Sequence, residues 1–316
     1  MEKTFLQRCD RKLLEARIAQ GIDLLSSCTV CPRFCHVDRT QGEIGFCKIG
    51  RLARVASWNL HFGEEDVLVG SGGSGTIFFS GCNLGCVFCQ NWDISHKGAG
   101  REVSAEELAE MMLGLQDQGA ENINFVTPSH VTVQILEALP LALDKGLSIP
   151  LVYNCGGYER LETLKLLDGV IDVYMPDSKF MDPESARKYC LAEDYPDMAR
   201  QAIREMHAQV GDLVVDERGV VRQGLLVRHL LMPGDLAGTR EWIEFIVREI
   251  SSKTYVNIMN QYRPCGDARK FPELQEGIGY EEYLDILQQA ENAGLTRLDQ
   301  GGFRLAEKVL KRFFGS

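Results

Sequence analysis

Seven of the chain's eleven cysteines fall into two tight groups, Cys82, Cys86 and Cys89, and Cys28, Cys31, Cys35 and Cys47. The first group has the spacing Cys-x3-Cys-x2-Cys within Ser80-Gly81-Cys82-Asn83-Leu84-Gly85-Cys86-Val87-Phe88-Cys89. Three thiolates on one short loop can grip three corners of a four-iron cubane, [4Fe-4S], which ordinarily takes four cysteines. With no obvious fourth, one iron is left for a ligand that is not protein, and an open coordination position is where metals do chemistry. The competing reading is a structural zinc loop completed by a distant cysteine. Zinc sites favour paired Cys-x2-Cys spacing with four protein ligands, which argues against it.

The second group, Cys28, Cys31, Cys35 and Cys47, has the spacing Cys-x2-Cys-x3-Cys-x11-Cys. Four soft ligands so close in sequence make a closed metal site. Zinc and a second [4Fe-4S] cluster both satisfy the thiolate count, although the central Cys-x3-Cys spacing is unlike a zinc ribbon. Such a site is structural, passes electrons to the first cluster or touches substrate. Gly42 and Gly45 let the chain fold back, and the short connection 48–81 predicts that this module packs against the Cys82 loop. The remaining cysteines, Cys9, Cys155, Cys190 and Cys265, read as small buried apolar residues.

Both groups must be positioned by the elements around them. Residues 1–27 read as a helical lead-in and 70–75 as a glycine-rich loop. From residue 76 onward strand and helix patterns alternate. Strands are predicted at 76–79, 123–126, 149–153, 170–174, 224–231 and 255–259. Helices are predicted at 104–117 (Ser104 and Glu107 forming a capping box), 131–144, 159–167, 183–209, 239–251, 280–293 and 303–313. Six strands separated by helices imply an α/β fold with a parallel sheet, open or curled into a partial barrel, its functional groups at the C-terminal strand ends. The expected organisation is an N-terminal helix and four-cysteine metal-binding module over 1–75 and a catalytic domain over 76–316.

The Cys82, Cys86, Cys89 motif, with aromatic Phe88 just before the third cysteine, resembles the radical S-adenosylmethionine (SAM) superfamily motif. Cys-Pro-Arg-Phe-Cys at 31–35, Ser-Gly-Thr-Ile-Phe-Phe-Ser-Gly-Cys-Asn-Leu at 74–84 and Gln-Tyr-Arg-Pro at 261–264 are similar to PflX-type homologues of pyruvate formate-lyase activating enzymes. The resemblance implies a partial (β/α)6 TIM-type barrel. It implies SAM bound to the open iron and cleaved by one electron into methionine and a 5′-deoxyadenosyl radical that abstracts hydrogen. An electron donor such as flavodoxin or ferredoxin is implied as a partner. Two rivals stand beside a small-molecule enzyme: a glycyl-radical activase acting on a partner protein, and a non-catalytic iron–sulfur or metal carrier.

The strand ends supply the candidate SAM contacts. Many radical SAM enzymes carry Gly-Gly-Glu after strand two; here Thr127-Pro128-Ser129-His130 stands instead. Thr127 can present oxygen to the SAM ammonium, His130 can carry a proton or cover the site, and Ser129 either joins them or caps the next helix. Asn154, before Gly156 and Gly157, suits ribose or carboxylate recognition. Related activating enzymes have an Asp-x-Lys segment that contacts SAM, and this resemblance assigns Asp177 and Lys179. Alternation sends both side chains to one face. Of Arg228 and His229 only one can face the barrel interior, Arg228 for a substrate carboxylate or His229 for SAM or a substrate. Gln261 and Tyr262 are candidate adenine or substrate contacts.

The net charge of −11 argues against general nucleic-acid binding, which relies on Lys and Arg. No apolar run is long enough to span a bilayer, and the first residues lack the apolar stretch of a signal peptide. A cytoplasmic location is expected, where clustered cysteines serve as metal ligands rather than disulfides.

Overall fold

A computed structural model describes residues 3–299. The helix predicted at 303–313 lies outside the described residues. Nine strands form one sheet: β1 (Ala53–His61), β2 (Ser74–Phe79), β3 (Arg101–Val103), β4 (Ile123–Val126), β5 (Leu151–Cys155), β6 (Val173–Ser178), β7 (Val214–Val215), β8 (Val221–Leu230) and β9 (Tyr255–Met259). The six strands β2, β4, β5, β6, β8 and β9 pair in parallel and in chain order. This is the succession that right-handed crossover helices impose. β1 and β3 extend the β2 edge in antiparallel fashion. Among the described residues β9 pairs only with β8 in this sheet, so the arc is not a closed barrel.

The register decides which side chains look inward. Thr76 stands beside Asn124, Asn124 beside Val152, Val152 beside Val173, and Asp177 beside Arg228, which is beside Asn257. Strand side chains alternate, so these residues share one face. On that face a small apolar cluster of Val152, Val173, Met175 and Leu226 packs around Leu68, from the short helix Asp66–Val69. The opposite face carries Ile77, Phe125, Tyr153, Tyr174 and Val227 into the main core beneath the helices. The segment between β1 and β2 therefore plugs the inner face of the arc.

The plug is locked by charge. Arg228 reaches the carboxylates of both Glu64 and Glu65, with 2.8 Å between its Nε and Glu65 Oε1. Asn257 donates to the same Glu65 oxygen at 2.6 Å. Burial works to raise the Glu65 pKa, but the charge and hydrogen bonds of Arg228 outweigh it and hold the carboxyl below its ordinary value.

Several boundaries differ from the sequence expectation. The division at residue 75 falls inside β2, and β1 pairs along β2, so 53–75 belongs to the barrel rather than to a separate module. Strand three begins after Pro150, which has no N–H to give a ladder. The apolar run at 170–174 starts as a buried turn, with Asp172 accepting from the backbone N–H groups of Phe5 and Leu151 at 2.7 and 2.9 Å, and β6 follows it. The stretch 183–209 is two helices, Pro183–Cys190 and Tyr195–Val210, broken where Leu191 takes φ +56°.

Removing one member of a buried ion pair leaves uncompensated charge and costs about 3–5 kcal/mol. Arg228→Met is expected to lower unfolding stability by that order at neutral pH, measured by denaturant titration. Because Glu65 has a depressed folded pKa, the stability linked to its ionisation is present above the ordinary carboxylate pKa of 4.5 and is lost as pH falls through the folded value. The gap between wild type and variant should therefore narrow in acid, and a gap independent of pH would contradict the ionic lock.

Candidate active site and metal centres

The Cys82–Cys89 loop leaves the C-terminal end of β2 and has no strand or helix of its own. Gly81, at φ +79°, allows the turn, and a Cβ there would sit 2.4 Å from the Cys47 carbonyl oxygen. Buried Asn83 donates to the Tyr158 carbonyl at 2.6 Å. The Gly85 and Val87 N–H groups donate to the carbonyls of Cys190 and Tyr189 at 3.1 and 2.9 Å. Phe88 meets Phe180 edge-on with ring centroids 5.7 Å apart, anchoring the loop near the end of β6. Arg33, from the Cys-Pro-Arg-Phe-Cys segment, donates to the Asn83 carbonyl at 2.7 Å and to the Leu191 carbonyl, tying the two cysteine groups to one another.

The three thiols lie in a field suited to thiolates. The Leu84 N–H is 3.3 Å from Cys82 Sγ, and the Ser95 hydroxyl is 3.2 Å from Cys89 Sγ. Cys86 Sγ lies 3.2 Å from Cys190 Sγ. Burial pushes the Cys82 and Cys89 pKa values up, and the Cys190 contact followed by burial does so for Cys86, while nearby Lys179 pulls all three down. Desolvated thiols of this kind ionise on meeting a metal cation. Three sulfurs and no oxygen or nitrogen ligand fit an iron–sulfur cluster.

Lys179 and Asp177 are brought together as the alternation predicts, Nζ to Oδ2 at 2.7 Å, and both side chains are largely buried. Burial opposes the ammonium, but Asp177 and its neighbours hold the Lys179 pKa well above the ordinary lysine value. The Tyr195 hydroxyl accepts from the Lys179 N–H at 3.0 Å and lies 2.9 Å from the carbonyls of Gly156 and Asp177, joining the ends of β5 and β6. Gly157, at φ +77°, makes room for the Asp177 carbonyl rather than for a ligand. Asn154 faces inward beside Val126. Thr127 has φ +61°, a strained conformation for a β-branched residue, at the end of β4. Gln261 is exposed beyond β9, where its carbonyl oxygen accepts from Gln90 at 3.3 Å.

Other candidates are placed elsewhere. His229 points to the outer face, with Nδ1 donating to the Ser178 carbonyl at 2.8 Å and Nε2 2.9 Å from the Thr239 hydroxyl. Burial lowers its pKa to about 4, so it is a neutral structural residue and not a SAM contact. Arg228 is the inward member of that pair, but Glu64 and Glu65 already occupy it. His130 is sealed beneath the cluster loop, Nε2 on the Ser80 carbonyl at 2.8 Å, and burial lowers its pKa to about 4. It neither covers the strand ends nor carries a proton near neutrality. Ser129 neither caps a helix nor reaches the strand ends: its hydroxyl donates to buried Glu159. Tyr262 is buried, its hydroxyl donating to the Leu274 carbonyl at 2.7 Å.

Cys190, Ser95, Arg33 and Tyr195 were not singled out from sequence for these roles. Cys190 and Ser95 come from other elements, and nothing in their local sequence points to the cluster loop. The Glu-Asp-Tyr-Pro run at 193–196 did carry a helix-start signal that places a break just after Cys190.

Three cysteines on a loop at the strand ends of a parallel half-barrel, with an inward lysine beside them, define an iron–sulfur enzyme of the half-barrel type. The radical SAM superfamily description matches residues 76–222, from β2 into β8. An uncharacterized protein of Methanocaldococcus jannaschii is 34% identical over 293 residues, 90% of this chain and 80% of that protein. A pyruvate formate-lyase-activating enzyme of Clostridium pasteurianum is 31% identical over 132 residues, 39% of this chain and 51% of that enzyme. A crystal structure of HydG, a maturase of the FeFe-hydrogenase, superposes with TM-score 0.48 at 14% identity over 96% of this chain and 67% of that one. The chain belongs to the radical SAM superfamily and is an enzyme of that class. The superfamily's cofactors are a [4Fe-4S] cluster and SAM.

Cys190 is too close to Cys86 to occupy a second corner of the same cubane. Cys190→Ala is therefore expected to retain about four irons at the loop, and Cys86→Ala to lose them. Equal iron loss on anaerobic reconstitution of the two variants would make Cys190 a ligand.

Proposed function

We propose that this enzyme cleaves SAM reductively at the Cys82, Cys86, Cys89 cluster and uses the resulting radical to abstract hydrogen from its substrate. The observation carrying this reading is the convergence of the three-cysteine loop with the Lys179–Asp177 pair at the inner strand ends. When bound, the cluster supplies one electron to the SAM sulfonium, giving methionine and a 5′-deoxyadenosyl radical. Lys179 offers an ammonium for the methionine carboxylate, and Asp177 holds that ammonium in place and can accept from ribose or amino group. Asn154 and Thr127 present polar groups on the same rim. Buried Leu84 and Phe88 line the loop and limit access of water to it. A one-electron donor such as flavodoxin or ferredoxin supplies the electron.

A glycyl-radical activase reading, with a protein as substrate, draws support from the similarity to the Clostridium pasteurianum activating enzyme over part of the chain. Among the described residues no helix is long and apolar enough to cross a membrane, and all eleven cysteines are free of disulfides. Both features suit work in a reducing cytoplasm. The Cys28, Cys31, Cys35, Cys47 set is read as a second thiolate metal centre.

Alanine at Cys82, Cys86 and Cys89 together should abolish 5′-deoxyadenosine release from SAM under strong reductant; continued release would refute the assignment. Lys179→Ala should leave the cluster loaded but weaken SAM binding. Loss of a hydrogen bond to a charged group costs about 1.5–3 kcal/mol, roughly tenfold or more in Kd. Unchanged affinity in anaerobic titration would remove Lys179 from the SAM site.

A further inference from the structure

The N-terminal cysteines converge as their spacing predicts. Cys28, Cys31, Cys35 and Cys47 all line one cavity, together with Arg39, His130 and Asn83. Two features of that cavity call for an occupant. Arg39 is buried, and its hydrogen-bond partners are the carbonyls of Gly50 and His130, at 2.9 and 2.8 Å, neither of which neutralises its charge. Among the described residues its Nη2 and the His130 Nδ1 are buried with no hydrogen-bond partner, and its Nη1 lies 3.9 Å from Cys28 Sγ. A buried guanidinium without a carboxylate is costly, and a thiolate-bound metal centre, which carries net negative charge, supplies the missing anion.

The arrangement favours a cluster over a single ion. Its central Cys-x3-Cys spacing is unlike the paired Cys-x2-Cys of a zinc ribbon. A cubane held by the four thiolates would present inorganic sulfides to the spare N–H of Arg39.

The two sites share a wall. The Cys47 carbonyl lies against Gly81, His130 bonds the Ser80 carbonyl, and Asn83, next to Cys82, lines the module cavity. We propose that Cys28, Cys31, Cys35 and Cys47 hold a second [4Fe-4S] cluster that relays single electrons through residues 80–83 to the catalytic cluster. A low-potential one-electron carrier protein reduces the second cluster. That electron then passes to the first, and the second returns to its oxidised state with no bond or proton exchanged. The relay role rests on the radical SAM reading of the Cys82 loop.

The test starts with the intact chain, reconstituted anaerobically with iron and sulfide. About eight irons per chain are expected, and about four in the Cys82/Cys86/Cys89 triple alanine variant, with an S = 1/2 signal on reduction. Zinc, or no metal, in that variant overturns the second cluster; iron unchanged from wild type would instead overturn the catalytic assignment. In Cys31→Ala/Cys35→Ala about four irons should remain at the catalytic loop. Electron uptake by that cluster from reduced flavodoxin, followed by stopped-flow absorbance, should slow at least tenfold. Uptake as fast as in wild type overturns the relay. The iron count of the unmodified chain needs no variant to fold, and about four irons there also overturns the proposal.

Discussion

The structure turns on a few residues of backbone, 80–83, against which two groups of buried and half-buried thiols pack. Buried thiols resist ionisation, and only metal cations of sufficient charge make thiolates stable there. The loop that carries three of them has no ladder of its own. Its geometry is supplied by others: Arg33 from the N-terminal module, the end of the helix Pro183–Cys190, and Phe88 wedged on Phe180. Loosening any of these ties moves the sulfurs, so the N-terminal module supports the catalytic loop whatever metal it carries.

Below that loop the parallel sheet does the positioning. Its register sets Asn154, Asp177 and Arg228 on the inner face, while Tyr153, Ser178 and His229 face the helices. The antiparallel strand β1 and the turn after it fill the lower part of the arc with Leu68 and cap that filling with Glu64 and Glu65 on Arg228.

Much of this was legible in the sequence because its causes are local. The capping box at Ser104 and Glu107 and β-branched runs such as 123–126 act over a few residues, and each was found where expected. The same locality explains the misplacements. An apolar run such as 170–174 reads alike whether it forms a strand or a buried turn, and only the pairing of β6 with β5 and β8 separates the two. β1 went unrecognised because its outer half is exposed and its stability comes from pairing with β2.

The sequence by itself determined how the thiols are grouped along the chain, that a parallel α/β sheet follows them, and that Asp177 and Lys179 lie on one face. Tertiary structure decided which way neighbouring residues turn and what they meet. His229 lost a site role and Arg228 was claimed by internal carboxylates, because a one-residue difference in strand parity sends a side chain to the opposite face. Cys190, more than a hundred positions from Cys86, came within 3.2 Å of it because a helix break at Leu191 ends its helix against the cluster loop. Spacing along a chain fixes ligands that are neighbours in sequence; partners that meet only through packing are fixed by the fold.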